Sequence, residues 1–161
     1  MMNHAPRMEA RAEDITVRRA TTADIKPLCV LLAHLFAQEA DFTPDEARQA
    51  DGLRLILEHP ETGRIHCAVA GGAILGMVSI LFTVSTAEGG RAAWLEDMVV
   101  EPRQRGRGIG EQLLATAIRD AREAGCVRIT LLTDLTNADA MRFYARSGFV
   151  RSRMIPFRLG L

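Results

Sequence analysis

The sequence predicts an α+β domain built on one mixed β-sheet of about six or seven strands, flanked by about four helices. Two observations carry that reading. Short apolar runs of strand character recur from the start to the end of the chain, with helical spacing between them. Their order is a strand, two helices, an antiparallel run, then strand–helix–strand–helix–strand, which calls for a mixed sheet.

The elements follow in order. Ile15–Ala20 is short and alternating, a first strand. Thr21-Thr22-Ala23-Asp24 has the form of a capping box, a hydroxyl followed three residues later by an acid. Ile25, Leu28, Leu32 and Leu35 then repeat at helical spacing. Thr43-Pro44-Asp45-Glu46 opens a second helix, with a hydroxyl cap, proline at the first helical position and acids in the first turn. That helix should run to about Glu58, before His59-Pro60. Ile65–Ala70 and Ile74–Thr83 are strands joined by Gly71-Gly72, a hairpin signal. Ser85–Gly90 is a loop and Ala93–Val100 a further strand. Ile109, Leu113, Leu114, Ala117, Ile118 and Ala121 form the clearest amphipathic stripe, which Gly125 closes as a left-handed cap. Val127–Thr133 is a strand, Asn137 to about Ser147 a helix, and Phe149–Leu159 one or two last strands.

Length and composition narrow the function classes. With 161 residues, 48% of them hydrophobic and 25% charged, the chain fits one globular domain of ordinary composition. Twenty basic residues balance twenty acidic ones, so the electrostatic footprint of a nucleic-acid or membrane-surface binder is missing. Cys29, Cys67 and Cys126 are odd in number and widely spaced, which suits neither a disulfide framework nor a metal site. Reduced thiols in a cytoplasmic protein are expected. No apolar run approaches the roughly 20 residues of a membrane span. Met1 to Asp14 is polar and reads as a flexible tail, leaving 15–161 as the folded domain.

The most informative segment runs from Trp94 to Gly110. A strand feeds a loop holding Arg103, Arg105, Gly106, Arg107 and Gly108, and the amphipathic helix begins at once with Ile109, Gly110 and Glu111. Unpaired amides at a helix N-terminus, with the helix dipole behind them, attract an anion, and glycines let a phosphate approach the backbone. The segment is therefore an anion site suited to a pyrophosphate. A tight surface turn would use the same glycines. A dinucleotide fold needs a third glycine at position 111, which is Glu111, and no Gly-Lys-Ser/Thr follows for a P-loop.

Arg103-Gln104-Arg105-Gly106-Arg107-Gly108 fits R/Q-x-x-G-x-G/A and resembles the acyl-CoA loop of the GNAT superfamily of N-acetyltransferases. Leu95 to Pro102 is similar to the strand that precedes this loop in that superfamily. Asn137 to Phe149 resembles the downstream signature N-x-x-A-x-x-x-Y-x-x-x-G-F. The likeness extends from about Ile15 to the C-terminus, in element order alone before residue 90.

The resemblance implies a fold, a co-substrate and roles. Two parallel strands should splay apart to admit the pantetheine of acetyl-CoA, with Met98, Val99 and Val100 offering it backbone groups. Gly106 to Glu111 should hold the pyrophosphate, Arg103, Arg105 and Arg107 should screen its charge, and Asn137 should contact the cofactor or simply cap its helix. No metal is implied. Tyr144, the only tyrosine, falls where the family places the acid that protonates the leaving thiolate; packing in a core is the other role for it. A base or water relay must deprotonate the acceptor amine. Glu96 is the first choice and Asp97 the alternative, since a bulge in this strand would defeat alternation. His34, His59 and His66 are further candidates.

The family places acceptor recognition in the first two helices. Gln38–Asp51 holds Glu39, Asp41, Asp45, Glu46 and Asp51 against Arg48, a balance that suits a cationic amine or merely a solvated face. Glu39, with Glu96, is a candidate contact to that amine, and Phe36 and Phe42 line the acceptor pocket or fill the core. The expected activity is acetyl transfer from acetyl-CoA to a small-molecule amine in a ternary complex. A non-catalytic acetyl-CoA sensor, an enzyme acting on proteins and a nucleotide-using enzyme stay open beside it. The resemblance also allows a homodimer.

Overall fold

The computed structural model describes residues 15–38 and 43–161. The expected tail at 1–14 lies outside them, as do Glu39, Asp41 and Phe42. The chain divides into two compact units, the first ending at Leu131 and the second running from Leu132 to Leu161.

The first unit carries the sheet. Its elements are β1 (Thr16–Arg19), α1 (Ile25–Phe36), α2 (Glu46–Leu57), β2 (Gly63–Ala70), β3 (Ala73–Ser85), β4 (Gly90–Val100), α3 (Ile109–Glu123) and β5 (Cys126–Leu131). Short 3₁₀ turns at Thr22–Asp24 and Pro102–Gln104 precede α1 and α3. The five strands lie in chain order, with β1 to β4 antiparallel and β5 parallel to β4. α3 is the crossover that a parallel pair requires. The mixed α+β fold is therefore as the sequence predicts.

Local chemistry sets the element ends. At Thr21 the Asp24 carboxylate accepts the Thr21 N–H at 2.8 Å, closing the expected capping box. Both Arg18 guanidinium nitrogens donate to the same carboxylate, at 2.8 and 2.9 Å. That fork holds Asp24 well below the usual carboxylate range, at about 2. The cap of α2 is Asp45 rather than Thr43, with Asp45 Oδ1 accepting the Arg48 N–H at 3.1 Å. A carboxylate is a stronger acceptor than a hydroxyl for amides at the positive helix end. Gly71 and Gly72 both have positive φ, 56° and 77°, the geometry of a two-residue hairpin turn.

The two sheet faces bury different partners. Leu28, Leu31 and Leu32 of α1 and Leu53 of α2 pack with Ile65, Cys67, Met77 and Val99 on one face. Against the other lies the stripe of α3, with Ile109, Leu113, Leu114, Ala117 and Ala121 all buried. Gly76 brings that helix close: a Cβ there would stand 3.0 Å from both Leu113 Cδ1 and the Val99 carbonyl oxygen.

The far end of α3 is tied down by charge. Asp120, 5% exposed, accepts from Arg19 of β1 at 3.0 Å and from Arg64 of β2, and its Oδ2 lies 3.2 Å from His66 Nε2. Burial pushes the His66 imidazole below its ordinary value. The folded chain thus resists a proton that the unfolded chain accepts, so His66 lowers stability as pH falls below about 6.5.

The second unit holds α4 (Ala138–Arg146) and no strand among its residues. Phe149–Leu159 has the apolar content of a strand, yet Val150, Met154, Ile155, Phe157 and Leu159 are exposed. A strand exists only with a ladder partner, and Pro156 removes one donor. The sheet accordingly has five strands instead of six or seven.

Asp120→Asn leaves two guanidinium groups facing a neutral amide. It should cost roughly 3 kcal/mol in urea unfolding; a loss below about 1 kcal/mol would show that the cluster does not anchor α3.

Candidate active site

β4 is irregular where the functional candidates lie. Val78 of β3 pairs with Met98, but Ile80 pairs with Leu95, so Ser79 alone faces both Glu96 and Asp97. This is a β-bulge, and it cancels side-chain alternation at the two carboxylates. Glu96 is exposed and Asp97 partly buried. The Asp97 N–H donates to Ser79 Oγ at 3.0 Å, and Ser79 Oγ lies 3.1 Å from Asp97 Oδ2 as its donor. Burial, and to a smaller extent the charge of Glu96, push the Asp97 carboxyl up to about 6; the Ser79 hydrogen bond opposes them.

The pairing of β4 with β5 follows Arg91–Cys126, Ala93–Ile129, Trp94–Thr130 and Leu95–Leu131, and stops there. β4 itself runs on to Val100. Met98, Val99 and Val100 stay paired with β3 on one side and have no ladder partner from β5 on the other. Arg105 Nε donates to the Val100 carbonyl oxygen at 3.3 Å.

The loop after β4 ends in an uncapped helix. Gly106 and Gly108 have φ of 75° and 76°, the left-handed region that side chains disfavour. Gly108 is the N-cap of α3 and supplies no side-chain acceptor. The first amide to reach a carbonyl is that of Gln112, on the Gly108 oxygen at 3.1 Å. The amides of Ile109, Gly110 and Glu111 are therefore the ones a helix of this length presents to an anion. Arg107 is held by Gln104 Oε1, and the Arg103 guanidinium has no bond among the described residues.

Residues 31–149 match the acetyltransferase (GNAT) family. The chain belongs to that family. It is 32% identical to an aminoalkylphosphonate N-acetyltransferase of Salmonella typhimurium, over 88% of this chain and 92% of the relative. It is 33% identical to glucosamine 6-phosphate N-acetyltransferase 1 of Oryza sativa subsp. japonica, over 73% of this chain and 65% of that one. Among solved structures it is similar to a transcriptional regulator from Bacillus halodurans C-125, at 28% identity and a TM-score of 0.76, covering 91% of this chain and 99% of that one. The protein is an acyltransferase of the N-acetyltransferase class. The family's acyl donor is acetyl-CoA, and the free β4 edge and uncapped α3 are donor and acceptor sets that fit an extended pantetheine and a pyrophosphate.

The first unit thus gathers Glu96, Asp97, Met98, Val99, Val100 and the Arg103–Glu111 loop on β4 and its exit. Asn137 and Tyr144 belong to the second unit. Asn137 caps α4, its Oδ1 accepting the Ala140 N–H at 3.0 Å. Tyr144 packs edge-to-face between Phe143 and Phe149, with ring centroids 5.2 and 5.7 Å away. Burial pushes its phenol up to about 12. Phe36, the last residue of α1, packs against the core. Two acids of the 38–51 segment serve the helix: Asp45 caps it, and Asp51 pairs with Arg54 at 2.7 Å. Of the histidines, His59 pairs with Glu61 and His66 with Asp120. Ser79 was not among the sequence candidates; its one signal is a lone hydroxyl inside the apolar run from Met77 to Phe82.

Gly108→Glu places a side chain in left-handed backbone and a charge at the anion site. Calorimetric titration with CoA should show binding lost while the circular dichroism spectrum persists. Undiminished affinity would mean that the α3 N-terminus is not where the pyrophosphate goes.

Proposed function

We propose that this N-acetyltransferase moves the acetyl group of acetyl-CoA to the primary amine of a small molecule by direct attack in a ternary complex, with Asp97 as general base and Tyr144 as general acid. The observation that carries the proposal is a partly buried carboxylate, raised to about 6, at the bulge beside the point where β4 loses β5. Acetyl-CoA supplies an activated thioester carbonyl. The protein supplies position and proton transfer. Backbone groups of Met98, Val99 and Val100 align the pantetheine and polarise the carbonyl. The amides of Ile109, Gly110 and Glu111, with Arg103 and Arg107, hold the pyrophosphate.

Asp97 suits the base role better than Glu96. A carboxylate near 6 is ionised at neutral pH yet basic enough to take a proton as the amine attacks. Glu96, exposed on the same bulge, is placed to attract an ammonium group. A phenol at about 12 keeps its proton at neutral pH and can give it to a leaving thiolate. For the acceptor we favour a small amine that also carries a phosphonate or phosphate group, as the names of the two relatives suggest.

An amine panel with thiol-release detection tests the activity. Short aminoalkylphosphonates and amino-sugar phosphates should turn over faster than the same amines without the phosphorus group; equal rates would remove that substrate class. With the best amine, kcat/KM should fall as pH drops through about 6, because protonated Asp97 cannot accept. Asp97→Asn should lower kcat by about 100-fold or more, and Tyr144→Phe should lower kcat with little change in CoA affinity.

Stability should move the other way. Asp97 has a folded-state value above its unfolded one, so its favourable contribution is present below about 3.8 and lost as pH rises through about 6. Asp97→Asn should therefore stabilise the fold at pH 8, by on the order of 3 kcal/mol, and by only about half as much at pH 5. Urea midpoints at the two pH values read this directly. A variant that is destabilised equally at both would show that the ionised carboxylate is not costly to bury.

A further inference from the structure

Ser79 is fully buried and sits in β3 between Val78 and Ile80. By register it shares a sheet face with Ile65, its partner on β2, and with Met77 two residues earlier. Nothing about packing on that face calls for a hydroxyl. The bulge does. Two residues of β4 oppose one of β3, so the extra residue brings an N–H that the ladder does not take. A hydroxyl has one proton and two lone pairs. At Ser79 a lone pair receives the Asp97 N–H at 3.0 Å, which leaves the proton free to point to Asp97 Oδ2 at 3.1 Å. Both bonds go to the same residue, one to its backbone and one to its carboxylate. They fix the side-chain torsion of Asp97 and occupy one carboxylate oxygen while leaving Oδ1 open.

We propose that Ser79 is a positioning residue for acetyl transfer, holding the Asp97 carboxylate in one orientation so that Oδ1 takes the proton of the acceptor amine. The assignment rests on the reading of Asp97 as base. Ser79 also sets where the base titrates, because its hydrogen bond favours the charged form against burial. Among the described residues Glu96, on β4 itself, is the one charged group that bears on Asp97. Among the described residues no charged side chain of β3, α1, α3 or β5, the other elements packed on β4, does so.

The test follows the carboxyl directly. Full-length protein carrying carbon-13 in the aspartate carboxyls is titrated by NMR, with the Asp97 signal assigned by its loss in Asp97→Asn. Ser79→Ala should raise the Asp97 midpoint by about one unit. Ser79→Thr, which keeps the hydroxyl, should leave it in place. If Ser79→Ala does not fold, Ser79→Cys, with a weaker donor of similar size, should give a smaller rise. The acid limb of kcat/KM, measured with the amine that turns over best, should move by the same amount in each variant. An unchanged midpoint in the alanine or cysteine variant overturns the role of Ser79, and Asp97 then stands or falls by Asp97→Asn alone. Full activity in Asp97→Asn overturns both. A raised midpoint with lost activity in Asp97→Asn supports the pairing as described.

Discussion

β4 has more chain than its neighbours can pair. Against β3 it holds one residue too many, and against β5 it continues for several residues after the ladder has ended. Those two mismatches set the first unit's share of the candidate site. The surplus on the β3 side turns Asp97 toward Ser79 and frees Glu96 for solvent. The surplus on the β5 side leaves backbone that β5 does not pair, with Arg105 taking up the Val100 carbonyl, and such groups in a folded chain need a side chain, water or a ligand. The loop and α3 then begin where that backbone ends. Gly76 lets α3 lie close to the sheet, and Asp120 clamps its far end to β1 and β2, so α3 is held at two points and the glycine loop leads into its fixed start.

Burial separates the ionisable groups into distinct tasks. It raises both Asp97 and Tyr144, but from starting values about six units apart, so the carboxyl lands near neutrality and the phenol stays far above it. At neutral pH one is ionised and the other keeps its proton, with the same physical cause behind both shifts. His66 is moved by burial as well, in the opposite direction because its charged form is the protonated one. It lies on the α3 side of the sheet beside Asp120, and its contribution is to the fold.

How much of this the sequence discloses depends on distance along the chain. The hairpin glycines, the stripe of α3 and the glycine-arginine loop are local patterns, and each is legible. The cap of α2 is also local, but Asp45 competes with Thr43 two residues away, and only the backbone geometry decides between them. The bulge is not local. Ser79 and Asp97 are 18 residues apart, and their pairing depends on the register of two long strands. Alternation could therefore name two carboxylates without choosing one. The acids between 38 and 51 read equally as an amine-binding face or as helix furniture, and Asp45 and Asp51 are committed to the helix. The last apolar run reads as strand because its composition is right, while a strand needs a partner that composition does not reveal.

The bulge also constrains how such a chain can change over time. Removing one residue at 96 or 97 would give β4 and β3 an even ladder. By the ordinary measures of folding that is an improvement. It would also leave a single residue opposite Ser79 where Glu96 and Asp97 now stand together. Amino-acid identity is usually taken as the thing that selection holds at an active site. The bulge adds a quantity of another kind, a count, one residue more in this strand than in its neighbour. A single-codon deletion there, which ladder regularity favours, would remove the arrangement in which Ser79 faces two carboxylates.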